Sequence, residues 1–354
     1  MSNCKDDPNS TLKQMFVDVV MGRRLDAGQT PALRPVFLKT HGIALGSFVI
    51  HPDLPEDLKV GLFGHSQFAA VVRFSSDTTP RRPDLKTTLG ISIKLIGVPG
   101  TKLLVKDAVT CDFLLQNHNV FFVDTAADMC EFTHAGVIDG NYDPYLAAHP
   151  TTKQILDDMG KPEHSTLGAT YWGLLPHQFG ADRHVKYKLA PAASTQDVKL
   201  KSDVESLPNY LYADLKTRLL QDEAQFHFYI QFRADEASMP LDQATVPWDE
   251  DASVPIHVAT LTLPQQNIDD SGRALYGENL AFNIWQTLPE HEPQGSIAIA
   301  RKEVYSAAAE LRRTTNKVST KEPTAPQPAP APPKAVDNTI VRAEIYPAIG
   351  VARV

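Results

Sequence analysis

Residues 296–313 have the sequence SIAIARKEVYSAAAELRR, in which small and apolar side chains recur at steps of three and four. This spacing predicts an amphipathic helix, and the residues that carry it are Ala300, Val304, Ala307, Ala308 and Leu311. Arg301 and Tyr305 then lie one turn apart on the same face, where a guanidinium and a phenol can touch. Arg312 lies about two turns after Tyr305, again near that face.

The pairing of Arg301 with Tyr305 suggests a specific chemistry. A fixed cation favours the ionised form of a neighbouring phenol. A phenolate is a hard anionic ligand for ferric iron, and tyrosine is one of the residues that ligate haem iron. An Arg-x-x-x-Tyr pair is also common on the surface of ordinary helices, so the pair alone leaves both interpretations open.

The composition of the 354 residues is that of an ordinary globular protein, with 42% hydrophobic and 21% charged residues. A net charge of -8 argues against binding to nucleic acid, which requires basic patches. The chain contains no run of about 18 apolar residues that would span a membrane. Cys4, Cys111 and Cys130 form no CxxC pair and predict no disulfide framework, which fits a reducing cytoplasm.

Changes in composition divide the chain into four parts. Residues 1–29 predict an N-terminal helical arm, and residues 30–318 predict one globular domain. The segment 319–336 is rich in proline and alanine and predicts an extended, semi-rigid linker. The strand-like tail, residues 337–354, has no core of its own and predicts the truncated start of a further domain.

The order of the predicted elements favours an α+β fold in which an antiparallel barrel precedes a helix-rich C-terminal part. The predicted strands are 34–50, 68–75, 90–95, 119–123, 185–189, 225–232 and 257–263. The predicted helices are 11–23, 124–132, 151–159, 209–222 and 296–313.

Four motifs, in the same order as in the family, resemble the catalase superfamily and in particular its small, catalase-related haem members. They are VVRFSS at 71–76, DLKTTLGISIKL at 84–95, DFLLQNHNVFFVD at 112–124 and NIWQTLPEHEPQGSIAIARKEVY at 283–305. The resemblance covers roughly residues 30–313, and it implies a catalase-like haem domain with an antiparallel β-barrel.

The resemblance implies haem b, with Tyr305 as the axial ligand of the iron and Arg301 as the cation that keeps it a phenolate. It also implies a set of residues around the cofactor, which comprises Arg34, Arg73 and Arg312 at the haem propionates, Ser75 behind the distal base, and Phe121 and Phe122 as an apolar distal pair. A planar fork of donors suits a carboxylate, so arginine is the expected residue at the propionates.

The distal side departs from the family pattern. Where the family has its essential histidine, three residues after Arg34, this chain has Phe37, which cannot transfer a proton. His41 follows four residues later, and a bulge could bring it over the iron; otherwise it is a strand histidine with other partners. Either Gln116 or Asn117 matches the family's distal asparagine, and either amide can hydrogen-bond a peroxide.

The tail IVRAEIYPAIGVARV at 340–354 is similar to the start of lysine ε-oxidase-like quinoproteins, which release hydrogen peroxide. This similarity implies a fusion in which a haem domain lies beside a source of peroxide, at the high effective concentration that a short tether creates. No oxidase catalytic residue is present in the chain.

The expected function is therefore that of a catalase-related haem protein, an oxidoreductase acting on hydrogen peroxide or an organic hydroperoxide. The alternative is a non-catalytic catalase-fold module that supports a fused or neighbouring oxidase. Phe37 favours the alternative or an altered chemistry, whereas the arginines and the pair of Arg301 with Tyr305 favour haem binding. A homodimer is a further expectation.

Overall fold

The computed structural model describes residues 3–80, 82–192 and 207–326. Within them the strands are β1 Lys39–Ile50, β2 Gln67–Ser76, β3 Leu89–Ile96, β4 Thr110–Gln116, β5 Tyr171–Trp172, β6 His177–Phe179, β7 Arg183–Pro191, β8 Ala224–Phe232 and β9 Ile256–Leu263. The helices are α1 Pro8–Lys13, α2 Gly22–Asp26, α3 Ala126–Val137, α4 Asp143–Ala148, α5 Pro150–Met159, α6 Tyr210–Gln221, α7 Arg273–Asn279 and α8 Ser296–Thr315.

Eight of the described strands close into an antiparallel barrel in the order β5-β4-β3-β2-β1-β9-β8-β7, because β7 also pairs with β5. β6 adds to β7 as a hairpin outside this ring. The predicted α+β fold with an antiparallel barrel is confirmed. The barrel closes through only two residues of β5, and Gln116 at the end of β4 pairs with Trp172 there.

The two faces of β2 show what the barrel separates. Val72 and Phe74 pack into the interior core, which is rich in aromatic side chains such as Phe48, Phe113 and Phe228. Successive side chains of a strand point to opposite faces, so Arg73 and Ser75 face outward, although both are buried. Other elements must therefore cover this outer face. Tyr276, Leu280 and Phe282 supply part of that cover, since they share an apolar cluster with Val71 of β2.

The helices at the two ends of the described chain pack on one another. α1, a π-helical segment Gln14–Met21 and α2 form the N-terminal arm, and α1 packs against α8. The arm, α3 and α8 share an apolar cluster around Met15, Cys130 and Val304. The α8 prediction, residues 296–313, is confirmed, and the helix continues for two more residues to Thr315.

Two strand predictions need correction. Residues 119–123 form bends rather than a strand, and the strand in this region is β4, which ends at Gln116. β1 begins at Lys39 rather than at residue 34, because residues 34–38 turn away before the ladder starts. The short elements β5, β6, α4 and α7 were not predicted, since each is too brief to show a period.

The cysteines differ from the expectation that there is no disulfide framework. Cys4 and Cys130 are joined, with their Cα atoms 5.5 Å apart, and the bond ties the N-terminal arm to α3. The two residues are 126 positions apart in sequence, so their spacing gives no signal. Cys111 is a free, buried cysteine in β4.

The first residues of the predicted linker 319–336 follow the barrel surface. Glu322 is buried and accepts hydrogen bonds from Lys94 Nζ at 2.6 Å and from Thr110 Oγ1 at 2.9 Å. The rest of the linker and the tail 337–354, with its resemblance to an oxidase, lie outside the described residues. Within the described ranges, no helix is both long enough and apolar enough to cross a membrane.

Candidate functional site

One face of α8 brings together Arg301 and Tyr305, as their spacing in the sequence predicts. Arg301 Nη2 donates a hydrogen bond to Tyr305 Oη at 3.3 Å, and the guanidinium carbon lies 4.9 Å from the centre of the tyrosine ring. Tyr305 is half-buried beside the apolar cluster that the arm, α3 and α8 share. The predicted contact between the guanidinium and the phenol therefore exists.

Polar contacts fix the position of α8. Trp285 Nε1 donates to the carbonyl of Ala298 at 2.6 Å, and Asn283 Nδ2 donates to the carbonyl of Lys302 at 3.3 Å. At the helix start, Ser296 Oγ accepts from the amide of Ala126 at 3.0 Å. Since these bonds tie α8 to the segment before it and to α3, the orientation of Arg301 and Tyr305 is set by the fold.

Two buried histidines, His177 and His291, pack against aromatic side chains of the interior core. Burial, with help from nearby His291 and Arg301, lowers the pKa of His177 to about 3, while its hydrogen bond to the backbone of Leu175 opposes this shift. Burial also lowers the pKa of His291 to about 4, while backbone hydrogen bonds oppose this shift. His291 Nε2 accepts from the amide of Leu62 at 3.3 Å, so its ring is a neutral structural acceptor.

Three arginines from distant parts of the chain meet at one carboxylate, that of Glu278 at the end of α7. Arg34 Nη1 lies 2.7 Å from Glu278 Oε1, and Arg73 Nη2 lies 3.8 Å from Glu278 Oε2. Arg312 is within electrostatic range of Glu278, Arg34 and Arg73. Arg34 and Arg312 both also donate to the carbonyl of Leu280. We call Arg34, Arg73, Arg312 and Glu278 the arginine cluster.

The arginine cluster carries more positive than negative charge among its four side chains. Burial lowers the pKa of Arg312 well below its usual value, repulsion from Arg34 adds to this, and Glu278 opposes it. The Nε atoms of Arg312 and Arg301 are buried, with no hydrogen-bond partner within the part of the chain that the structure describes. The cluster is therefore suited to a further anion.

Phe37 lies on the outer face of the barrel beside a row of cross-strand neighbours. Ser75 of β2 pairs with Gly90 of β3, which pairs with Gln116 of β4. A Cβ on Gly90 would lie 2.8 Å from two ring carbons of Phe37 and 3.4 Å from Ser75 Oγ. The aromatic ring thus covers the glycine and lies next to the serine.

The backbone of Phe37 is held in an unusual conformation. Its φ is 50°, in the left-handed region that bulky residues avoid. Arg73 Nη2 donates to the Phe37 carbonyl at 2.9 Å, and the Phe37 amide donates to Asp77 Oδ1 at 3.4 Å. From α2, Arg24 donates to the carbonyl of Arg34 at 2.9 Å. These contacts fix where the ring of Phe37 points.

His41 lies at a bulge, which is the condition for bringing it to the outer face of the sheet beside Phe37. Its side chain nevertheless lies on the inner face. The register of β1 against β2 shifts between Thr40 and Gly42. His41 Nε2 lies 3.0 Å from Ser76 Oγ, and Ser76 points opposite to Ser75. The structure therefore places the fully buried His41 on the interior side of the sheet, away from Phe37.

Gln116 and Asn117 occupy different positions at the end of β4. Gln116 is half-buried and belongs to the row with Ser75 and Gly90. Asn117 uses its Oδ1 to accept from the amide of Leu89 at 2.8 Å, so it also holds β3 in place.

A wall of half-buried aromatic rings continues from the end of β4 to α4. Phe121 and Phe122 have ring centres 4.5 Å apart, Phe122 and Phe132 are 4.8 Å apart, and Phe132 and Tyr142 are 4.6 Å apart. Tyr142 lies close enough to Asp77 for the carboxylate to raise the pKa of the phenol, after burial as the main cause. The wall therefore leads back to the segment that holds Phe37.

These residues form two groups, and we call the region between them the crevice. The helix side consists of Arg301, Tyr305 and the arginine cluster. The strand side consists of Phe37, Ser75, Gly90 and Gln116, and the aromatic wall lies at one end.

Comparison with solved structures identifies the architecture. A fungal catalase matches with a TM-score of 0.65 and 19% identity, over 82% of this chain and 61% of that chain. A bacterial catalase matches with a TM-score of 0.65 and 16% identity, over 89% of this chain and 65% of that chain. The fold is catalase-like. Catalase A from Saccharomyces cerevisiae also matches, with a TM-score of 0.63 and 16% identity, over 82% and 63%.

The catalase-like chain spans less than two thirds of the length of each of these three catalases, 61–65%. It matches no protein-family model and no curated protein sequence. At identities below 20%, these structures show the fold alone, and the residues of the crevice must be judged by their own chemistry.

The residues of the crevice fit a haem group. Tyr305 offers a single oxygen ligand beside a cation, and the arginine cluster offers guanidinium groups for two carboxylates. The aromatic wall offers apolar surface for a flat ring system. The partnerless Nε atoms of Arg301 and Arg312 show donor capacity that the described residues leave unused.

Several residues of the site were not predicted from the sequence. Glu278, Asp77, Arg24 and Tyr142 were not among the candidates, because each meets its partners only through the fold. Glu278, for example, is paired with Arg34, which lies 244 residues earlier. His177 has a buried ring whose Nδ1 lies 3.1 Å from the carbonyl oxygen of Leu175, which gives it a structural role.

Proposed function

We propose that the chain is a catalase-related haem b protein that acts on hydrogen peroxide or an organic hydroperoxide, with slow peroxidase-like rather than efficient catalase turnover. The observation that carries the proposal is the placement, on one helix, of the contact of Arg301 with Tyr305 and of Arg312 from the arginine cluster. A scaffold has no physical need for this combination, because burying several like charges near one another is costly.

In the proposed site, each residue of the helix side has a separate task. Tyr305 would supply an oxygen ligand to the iron, and Arg301 would stabilise the anionic form of that ligand. Arg34, Arg73 and Arg312 bind the two carboxylates of the porphyrin. The bound iron porphyrin supplies the redox chemistry with peroxide, and the protein supplies position, charge and access.

The strand side limits what this chemistry can achieve. Phe37 lies beside Ser75 and offers no proton acceptor, so it cannot move a proton between the two peroxide oxygens. The amide of Gln116 offers a hydrogen bond to a bound peroxide, and Asn117 offers the NH₂ group that its bond to Leu89 leaves over. His41 could act as a relocated base only after leaving Ser76 and crossing the sheet.

A non-catalytic module is the second candidate, and Phe37 is the observation that favours it. In that case the domain binds or stabilises a fused or neighbouring oxidase that produces peroxide, without turning over peroxide itself. The two candidates differ in whether a haem group in the crevice responds when peroxide is added.

Hemin titration followed by addition of peroxide tests the proposal. We expect the wild-type chain to bind hemin with the absorption spectrum of a tyrosinate-ligated ferric haem, which changes on addition of hydrogen peroxide or cumene hydroperoxide. Tyr305→Phe removes the ligand oxygen, so hemin affinity is expected to fall by more than about tenfold and the tyrosinate features to disappear.

Tyr210→Phe is the matched control, because Tyr210 is a partly buried tyrosine at the start of α6. Its hemin spectrum and affinity are expected to equal those of the wild type. An unchanged spectrum in Tyr305→Phe would contradict the assignment of the ligand. Hemin binding with no spectral response to either peroxide would favour the non-catalytic module.

A further inference from the structure

Glu278 is the only acidic side chain in the arginine cluster as defined above, and its position is firmly fixed. It lies at the C-terminal end of α7 and its side chain is 4% exposed. The neighbouring Gly277 packs directly on β1, since a Cβ there would lie 2.1 Å from Ile43 Cδ1. Because α7 cannot shift without disturbing β1, the carboxylate is held among the guanidinium groups.

The position of Glu278 is that of a carboxylate belonging to a ligand. It lies 2.7 Å from Arg34 and 3.8 Å from Arg73, and it acts electrostatically on Arg312. These are the arginines assigned above to the porphyrin carboxylates. One carboxylate of the chain therefore shares these three cations with whatever anion binds in the crevice.

We propose that Glu278 is an internal counter-ion of the crevice, which neutralises part of the arginine cluster and thereby competes with the carboxylates of a dianionic ligand for the same three arginines. The inference rests on the proposed function, in which that ligand is an iron porphyrin with two carboxylates. Glu278 stabilises the ligand-free chain and lowers the affinity for the ligand, so the crevice can exist without the ligand and can also release it.

The signs of both effects follow from charge. In Glu278→Gln the three arginines, of which Arg73 and Arg312 are buried, lack their shared anion, and the ligand-free chain loses stability. A dianion entering the same cluster then meets a stronger attraction, because the like charge at Glu278 is gone. If Glu278 were purely structural, replacing it would lower the stability of the chain without changing the preference of the site for charged ligands.

The first experiment compares hemin with hemin dimethyl ester, in which both carboxylates are neutral, in the wild type and in Glu278→Gln. We expect Glu278→Gln to bind hemin about tenfold more tightly than the wild type does. Binding of the dimethyl ester is expected to differ by less than about twofold, because only the charged ligand competes with Glu278.

Glu322→Gln is the matched control, since the side chain of Glu322 is 8% exposed and its ion-pair partners are Lys94 at 2.6 Å and Arg313 at 3.7 Å, neither of which belongs to the arginine cluster. It is expected to leave the ratio of hemin affinity to ester affinity unchanged. Weaker hemin binding in Glu278→Gln, or an equal change for both porphyrins, would overturn the proposal. If Glu278→Gln does not fold, Glu278→Asp takes its place. The shorter aspartate side chain holds its carboxylate farther from Arg34, so hemin affinity should rise by a smaller factor.

A second experiment separates this inference from the proposed function, because it uses no porphyrin. The melting temperature is measured in phosphate and in chloride at equal ionic strength and at pH 8, where phosphate is mostly a dianion. We expect phosphate to raise the melting temperature of Glu278→Gln more than that of the wild type. Equal responses would overturn the role of Glu278 as a counter-ion even if the wild type binds hemin. If phosphate raises the melting temperature of the variant more than that of the wild type, but neither protein binds hemin, the counter-ion role is supported and the haem assignment is contradicted.

Discussion

The helix side and the strand side of the crevice are built from different kinds of groups. The helix side is charged and paired, with Arg301 on Tyr305 and three arginines around Glu278. The strand side consists of Phe37 over Gly90, with Ser75 and Gln116 as its polar members. The first can hold an anionic, flat ligand, whereas the second lacks an acid or base.

This difference separates two tasks that a peroxide-cleaving haem site must combine. Holding the cofactor needs fixed cations and a ligand oxygen, and the helix side has both. Moving a proton during O–O cleavage needs a group that titrates near neutral pH, and Phe37 is not such a group. The chain is therefore equipped for the first task and poorly equipped for the second.

Phe37→His would remove this difference, and we expect the largest effect from it. An imidazole beside Ser75 supplies the missing base, so the rate of hydrogen peroxide disproportionation by the hemin-loaded chain should rise at least about a hundredfold. Histidine also tolerates the φ of 50° at this position better than phenylalanine does. Oxygen release measures the rate.

Phe37→Leu is the control for this prediction, because it opens similar space without adding a base. Its rate should stay within a few-fold of the wild-type rate. If leucine and histidine raise the rate equally, the strand side limits the access of peroxide rather than proton transfer.

His291 belongs to neither side of the crevice, and because of it stability should fall with acid. Its folded-state pKa of about 4 lies below the ordinary value of 6.5, so the unfolded chain binds the proton first as the pH falls. This difference destabilises the wild type between about pH 6.5 and pH 4, by about 3 kcal/mol in all. Denaturant unfolding of hemin-free wild type and His291→Gln at several pH values measures it.

The glutamine variant should lose this part of the pH dependence, while other titrating groups act alike in both proteins. The difference in unfolding free energy between the two proteins should therefore change across this range and stay constant above pH 7. A constant difference throughout would mean that folding does not lower the pKa of His291.

Gly90→Ala tests the packing of the strand side and should have the smallest effect. The added methyl would lie 2.8 Å from the ring of Phe37, so overpacking should cost about 2 kcal/mol of unfolding free energy. In a Phe37→Ala background the same substitution should cost almost nothing. Gly168→Ala is the control, since its nearest contact would be an ordinary 3.6 Å. Equal costs in both backgrounds would show that Phe37 is not the neighbour concerned.

The sequence predicted the helix side better than the strand side, and the reason is geometric. Arg301, Tyr305 and Arg312 lie on one helix, whose period fixes their relative positions within a single segment. The position of His41 depends on a bulge between β1 and β2, and a shift of one residue moves a side chain to the other face. Sequence spacing alone left both outcomes open.

Glu278 could not be predicted because its role is defined by partners in other elements. Arg34 precedes β1, Arg73 is in β2 and Arg312 is in α8, and only the closed barrel brings them to α7. The strand at 119–123 was predicted from its aromatic residues, but those rings belong to the aromatic wall. Apolar side chains that line a crevice resemble the core of a sheet in sequence.

The bond between Cys4 and Cys130 makes the first part of the chain a covalent ring with a sequence separation of 126 residues. Phe37, Ser75 and Asn117 lie within this ring, whereas Tyr305 and Arg312 lie outside it. A ring of this size lowers the conformational entropy of the unfolded chain, which raises the free energy of unfolding by about 5 kcal/mol in the chain-entropy model. A single protease cut anywhere within the ring would leave both pieces of the strand side attached to α3, and reduction would be needed to separate them.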